Sequence, residues 1–354
     1  MTPGSVISRA RNRLQRMRRK RKVRAILDGS PSLQLRRQFI RPIDQPMILI
    51  SQIQRSGGTL VNRLFDGHPD CYVYPSELAI GGQDKSVWPD LQILANANAA
   101  FDVMTQRSLN WVTTALDSGF RKDGVGTAQE ARNFVFNAAS FRQVFNEALA
   151  PHNPPTPRDF LNAYHTAFFN CWIDNQTFYA PEKKFVVAFT PRVNLAPENH
   201  TRYWSCYPEG YWITVVRDPA SWYASARKHS GRYGKFDEAM SVWRHSMEAS
   251  LELKRLYGER VILLSFANLL ERTEDCMRGI CERTGLDWSP ILLTPTFNGM
   301  PVVSNSSFSG SKGIDTSAAK RSAHEDLDEV ARRRLEDLRA AFTSARESFD
   351  FEPH

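Results

Sequence analysis

The stretch LISQIQRSGGTLVNRLFDGHP, Leu49 to Pro69, sets an Arg-Ser-Gly-Gly-Thr turn between a β-forming run and an amphipathic one. A strand that feeds a glycine-bearing turn opening a helix gathers unpaired backbone N–H groups and the positive end of a helix dipole at one point. Such a turn is an anion seat. Gly57 and Gly58 let the backbone approach a ligand, and Ser56 and Thr59 offer hydroxyls. Arg55 adds a permanent cation whose fork fits phosphate or sulfate. A triphosphate loop of the form G-x-x-x-x-G-K-[ST] carries its lysine after the second glycine, whereas here the cation precedes both glycines and no lysine follows them.

Working outward, four short apolar runs stand out: MILISQI at 47–53, FVVAFT at 185–190, WITVV at 212–216 and RVILLSF at 260–266. Each is nearly continuous, as strands buried on both faces are. Helical patterns follow at Thr59 to Phe65, Ala220 to Leu256 and Leu270 to Arg283. Alternating strands and helices imply an α/β fold, a three-layer sandwich with a central parallel sheet. Residues 86–180 read as a helical insertion, with PHNPPTPRD at 151–159 a hinge or loop within it. Residues 324–349 read as a long packing helix whose apolar face includes Leu327, Val330, Leu335, Leu338 and Phe342. The expected organisation is a basic extension, 1–40, and a single domain, 41–354.

The 354 residues carry a net charge of +8, but the basicity is local. Residues 9–24, RARNRLQRMRRKRKVR, hold ten of the 46 Lys and Arg and no acid, so the remainder, with 38 acidic residues, is close to neutral. That distribution argues against a sequence-specific nucleic-acid binder. Leu14, Met17 and Val23 give the tail a sparse apolar edge. It fits a basic helix on an anionic membrane surface, a polyanion or an acidic partner, a solvated extension, or an Arg-rich presequence. No apolar run is long enough for a transmembrane segment and the first residues lack a secretory signal, so a cytoplasmic setting is expected, with peripheral membrane attachment open through the tail. Five cysteines without a C-x-x-C pair read as reduced, packed thiols.

A second motif, VVRDPASWYASARKH, ends the third apolar run at Arg217 and opens a helix carrying Ser225, eight residues on. Arg217 thus stands at the C-terminal rim of a parallel strand, where ligands bind in open α/β sheets, and Ser225 can turn back toward the same rim. Taken together, the two motifs resemble those of the sulfotransferases that use 3′-phosphoadenosine 5′-phosphosulfate (PAPS). That family carries an Arg/Lys-Ser-Gly-x-Thr loop for the 5′-phosphosulfate, similar to Arg55-Ser56-Gly57-Gly58-Thr59. It also carries Arg-Asp-Pro and a serine eight residues after the arginine for the 3′-phosphate, similar to Arg217 and Ser225. The likeness extends to His68-Pro69, Trp243 and RVILLSFANLLER, and covers roughly residues 45–315.

The resemblance implies a P-loop nucleotide-kinase-like fold, PAPS as co-substrate without a required metal, and transfer to an acceptor hydroxyl, carbohydrate first among acceptors. The Gly/Ser-rich SNSSFSGSKGI at 304–314 is similar to the family's late loop, making Lys312 a further candidate for the 3′-phosphate. Gly58 stands where the family usually has Thr or Ser, and Phe266-Ala267-Asn268-Leu269 where Tyr-Glu-Asp-Leu is common. Arg55 would neutralise the leaving oxygen. Glu77, in YVYPSEL, is the candidate base, where related enzymes often carry a catalytic Glu; His200 is the runner-up, while His68 reads as a helix-end residue. Arg192, just past the second apolar run, could face donor or acceptor. Trp88, Trp111, Phe136 and Trp172 are candidate stacking residues for an acceptor ring, against a core-packing alternative. A P-loop nucleotide kinase or NTPase-like enzyme and a non-catalytic polyanion binder acting through the basic tail stay open.

Overall fold

The computed structural model describes residues 39–82, 84–93, 96–106, 134, 136–179, 182–229, 231–302, 313–321 and 327–353. The basic tail, Trp111 and Lys312 lie outside them. In chain order the main elements are β1 (Met47–Ile50), α1 (Gly58–Phe65), β2 (Cys71–Glu77), α2 (Ala97–Thr105), α3 (Ala138–Leu149), α4 (Pro157–Cys171), β3 (Phe185–Phe189), α5 (Pro197–Cys206), β4 (Tyr211–Val216), α6 (Pro219–His229), α7 (Phe236–Tyr257), β5 (Val261–Ser265), α8 (Phe266–Glu271), α9 (Thr273–Thr284) and α10 (Glu329–Ala345).

The described chain divides into two compact units. The larger holds residues of 45–90 and 176–354 and carries a five-stranded sheet of order β2-β3-β1-β4-β5. Every pairing in that sheet is parallel. Strand alternation sends Ile48, Ile50, Ile213, Val215, Ile262 and Leu264 into one buried cluster with α1, α8 and α9. Leu263 and Val216 join the opposite cluster, built from Trp222, Trp243, Leu335, Leu338 and Phe342 of α6, α7 and α10. Helices therefore cover both faces, giving the three-layer α/β sandwich, and every functional loop must leave by a strand end.

The four apolar runs are β1, β3, β4 and β5, each wholly or almost wholly buried. The fifth strand, β2, is an addition: CYVYPSE carries Pro75, which reads as a loop signal. It is tolerated because β2 is an edge strand whose register slips between Val73 and Glu77. The single helix expected over 220–256 is two, α6 and α7, separated around Gly231 and Gly234. In α10, Leu335, Leu338 and Phe342 are buried as the periodicity predicts, while Val330 is exposed.

The smaller unit holds the described residues of 39–44 and 91–175. Its core is an aromatic cluster in which Phe141 meets Phe101, Phe136 and Tyr164, and Phe168 meets Trp172. Phe136 and Trp172 are buried there, as Trp88 is in the larger unit against Tyr203, so all three serve core packing. All five cysteines are free and buried, and burial pushes the thiols of Cys276 and Cys281 up to about 12 and about 11. No helix among the described residues is long and apolar enough to cross a membrane.

Candidate active site

β1 is the central strand, and its C-terminal end is pinned from both sides. Ser51 N–H donates to the Ile213 carbonyl of β4, while Thr190 and Arg192 N–H groups after β3 donate to Ile50 and Gln52. The chain then turns through two left-handed residues, Arg55 with φ 68° and Gly57 with φ 103°, before α1 begins at Gly58. Glycine is needed at both positions of the pair for different reasons. Gly57 holds a positive φ, and a Cβ there would also lie 2.7 Å from the Phe266 ring. A Cβ on Gly58 would fall 1.9 Å from the Gln52 side-chain amide and 2.3 Å from the Phe189 ring. The departure at Gly58 is thus set by its neighbours: Gln52 and Phe189 fill the space a larger residue would take. With its amide oxygen toward the helix, Gln52 accepts the Gly58 N–H at 2.8 Å.

The Arg217 corner meets this turn directly. Arg217 stands one residue past β4 and is 4% exposed. Its Nη1 donates to the Arg55 carbonyl at 3.0 Å, its Nη2 to the Ala318 carbonyl at 2.6 Å and its Nε to Ser221 Oγ at 2.8 Å. The guanidinium lies 4.5 Å over the Phe266 ring, which is thereby enclosed between Gly57 and a cation. Trp243, buried in α7, donates its indole N–H to the Arg217 carbonyl, and Trp222 donates to the Gln54 carbonyl. These two bonds fix the backbone of both arginine-bearing loops. Ser225 lies on Arg55, accepting from its Nε at 3.1 Å, so the serine one turn nearer, Ser221, is the hydroxyl that Arg217 holds. Burial, then Arg321 and Arg55, push the Arg217 guanidinium down to about 9 from its ordinary 12.5.

On the other side of β1 lie Glu77 and Arg192. Glu77 closes β2 in register with Phe189, two strands from β1 and so roughly 10 Å across the sheet. Its carboxylate meets Lys85 Nζ at 2.6 Å. Arg192 has φ 70° and its Nη2 stands 3.6 Å from Asp84 Oδ1. His200 is placed differently: it is buried, its ring packs against Trp212, and its Nε2 bonds the Asn194 carbonyl. Burial holds it below its ordinary value. His68 is a structural link, with Nδ1 accepting from Asp70 N–H and Nε2 donating to the Asp287 carbonyl.

Residues 46–290 match the model of the sulfotransferase family, a span that contains both arginine corners and Glu77. The chain belongs to that family. It is a sulfotransferase, and membership implies an activated sulfate donor of the PAPS type. Among solved structures, the sulfotransferase domain of the Synechococcus PCC 7002 olefin synthase is 18% identical at a TM-score of 0.50, over 86% of this chain and 96% of that domain. A sulfotransferase domain from the curacin biosynthetic pathway is 15% identical at 0.44, over 84% and 98%. A sulfotransferase from Mycobacterium avium is 15% identical at 0.40, over 93% and 79%. At such identities the first likeness is one of fold. No curated protein matches the chain.

Several residues of this sulfotransferase's site escape sequence reading. Trp222 and the Ala318 carbonyl act across more than a hundred residues of chain, while Ser221 and Gln52 reach Arg217 and Gly58 within a few residues. Only the helical spacing of Ser221 from Arg217, one turn, is a signal the sequence carries.

Proposed function

We propose that this sulfotransferase moves a sulfuryl group from PAPS to an acceptor hydroxyl, with carbohydrate the first acceptor class to test. The observation that carries the donor reading is the 3.0 Å bond from Arg217 Nη1 to the Arg55 carbonyl. It joins the Arg217 corner directly to the glycine turn, which supports reading the two seats as one site for a doubly phosphorylated adenosine. Ser56, Gly57, Gly58 and Thr59 hold the 5′-phosphosulfate, and Arg217, Ser225 and Lys312 take the 3′-phosphate. Arg217, Arg55 and Arg321 bring positive charge to the corner, opposed by Asp218 and Asp315, and this cation cluster supports a doubly phosphorylated ligand.

The donor supplies the sulfuryl group: its S–O bond to the bridging oxygen breaks as the acceptor oxygen bonds to sulfur, leaving adenosine 3′,5′-bisphosphate with the electron pair. Arg55 neutralises the charge that develops on the bridging oxygen, and positioning does most of the remaining work. Glu77 accepts the acceptor's proton, oriented by Lys85. The catalytic domain on this reading is 41–354, so removal of residues 1–24 leaves donor binding intact.

Calorimetry with adenosine 3′,5′-bisphosphate tests the donor assignment. Binding without magnesium and far tighter than ATP is expected; tighter ATP binding would replace the reading with a nucleotide kinase. A mass-spectrometric screen of hydroxyl acceptors with labelled PAPS then identifies the acceptor class.

A further inference from the structure

We propose that Arg192 is a third anion-binding arginine of the transfer site, contacting the sulfuryl oxygens of the donor on the side that faces Glu77. The proposal rests on the PAPS reading above and adds a residue to it.

Sheet order comes first. β3 and β4 are the two strands that flank β1, and each delivers an arginine just past its end, Arg192 and Arg217. Arg55 comes from β1 itself, so three adjacent strands present three arginines at one rim. Arg192 is the one between the glycine turn and Glu77, since β3 separates β1 from β2. A group passing from donor to an acceptor hydroxyl activated by Glu77 crosses that position.

Backbone conformation singles out the same residue. Four non-glycine residues among those described have positive φ, and two of them are Arg55 and Arg192, at 68° and 70°. Left-handed backbone is unfavourable for a side chain of this kind and persists where the surroundings over-determine it. Here the surroundings are the donor turn: Arg192 N–H donates to the Gln52 carbonyl at 2.9 Å, and Gln52 in turn caps Gly58.

The guanidinium is held but not satisfied. Its side chain is 13% exposed, and its Nε is buried without a hydrogen-bond partner. Among the described residues it is the one cationic nitrogen in that condition. Asp84 is a loose counter-ion at 3.6 Å, and its Oδ1 already accepts from both the backbone N–H and the hydroxyl of Ser86. A buried donor without an acceptor carries a desolvation cost that an anionic oxygen removes. Sulfuryl oxygens supply several such acceptors, and the arginine fork matches them. In the transfer the S–O bond to the bridging oxygen breaks, the acceptor S–O bond forms, the released electron pair stays on the bisphosphate and the acceptor proton passes to Glu77. Arg192 holds the equatorial oxygens throughout and exchanges no proton.

The test exploits the fact that PAPS and adenosine 3′,5′-bisphosphate differ only in the sulfuryl group. Calorimetry on the full chain compares both ligands for the wild type, Arg192→Gln and Asp84→Asn. Arg192→Gln should weaken PAPS about ten- to a hundredfold and leave the bisphosphate within about twofold. Asp84→Asn, a surface change that loosens the competing carboxylate, should tighten PAPS about two- to threefold and leave the bisphosphate unchanged. Equal effects on both ligands, or none on either, would overturn the role of Arg192 while leaving the donor reading in place. Should Arg192→Gln not fold, an Asp84→Asn protein with unaltered PAPS affinity overturns it equally. A wild type that binds neither nucleotide removes the donor reading itself, and this inference with it.

Discussion

On one side of β1, Arg217 is sealed: each guanidinium nitrogen has an oxygen partner from Ser221, Arg55 or Ala318, and an aromatic ring closes the remaining face. On the other side, Arg192 keeps a buried Nε without a partner and a distant carboxylate. Both arginines end strands of the same sheet and both are mostly buried. The difference teaches which job each corner is built for. A sealed cation with fixed geometry suits a group that is bound and kept, such as a terminal phosphate. A cation held in strained backbone with an unanswered donor suits a group that is passing through.

That contrast can be broken or sharpened by substitution. The largest effect is expected for Glu77→Gln, on the open side. Turnover with an acceptor found by screening should fall by about 10²- to 10⁴-fold, with bisphosphate affinity unchanged. Preserved turnover would remove the base from that side.

Next comes Arg217→Ala, which deletes charge-assisted bonds worth roughly 1.5–3 kcal/mol each to a phosphate. Calorimetry should show bisphosphate affinity lowered ten- to a hundredfold or more. Gly58→Ala should follow, because its Cβ enters the space of Gln52 and Phe189. Overpacking of this kind costs about 1–3 kcal/mol, read as a lower melting temperature, and Phe189→Leu in the same chain should restore part of it.

The smallest effects separate contact from field. Ser225→Ala removes one oxygen from Arg55 and should weaken the bisphosphate by about fivefold. A pH series probes the sealed corner without mutation. Because burial and neighbouring cations depress Arg217 to about 9, and a bound phosphate favours its charged form, binding takes up an increasing fraction of a proton as pH approaches and passes that value. Affinity for the bisphosphate should therefore be highest near pH 7.5 and decline progressively as pH rises toward and through about 9, more steeply than in Arg217→Ala.

Local sequence determined much of this protein. Continuous apolar runs marked four strands covered on both faces, and Arg55 to Thr59 together with Arg217 and Ser225 marked the turns and helix starts at two strand ends, because those are written in adjacent residues. Pro75 hid β2, whose edge position is a property of the sheet and not of its seven residues. The sequence also offered Arg192 as one arginine at a strand end among many. Only the tertiary structure decided that Ser221 serves Arg217 and Ser225 serves Arg55, that Phe189 and Gln52 require glycine at 58, and that the Nε of Arg192 lacks an acceptor. Those facts depend on which strands lie side by side. Hydrogen-bond satisfaction is settled by groups more than a hundred residues apart in the chain, and no local pattern encodes it.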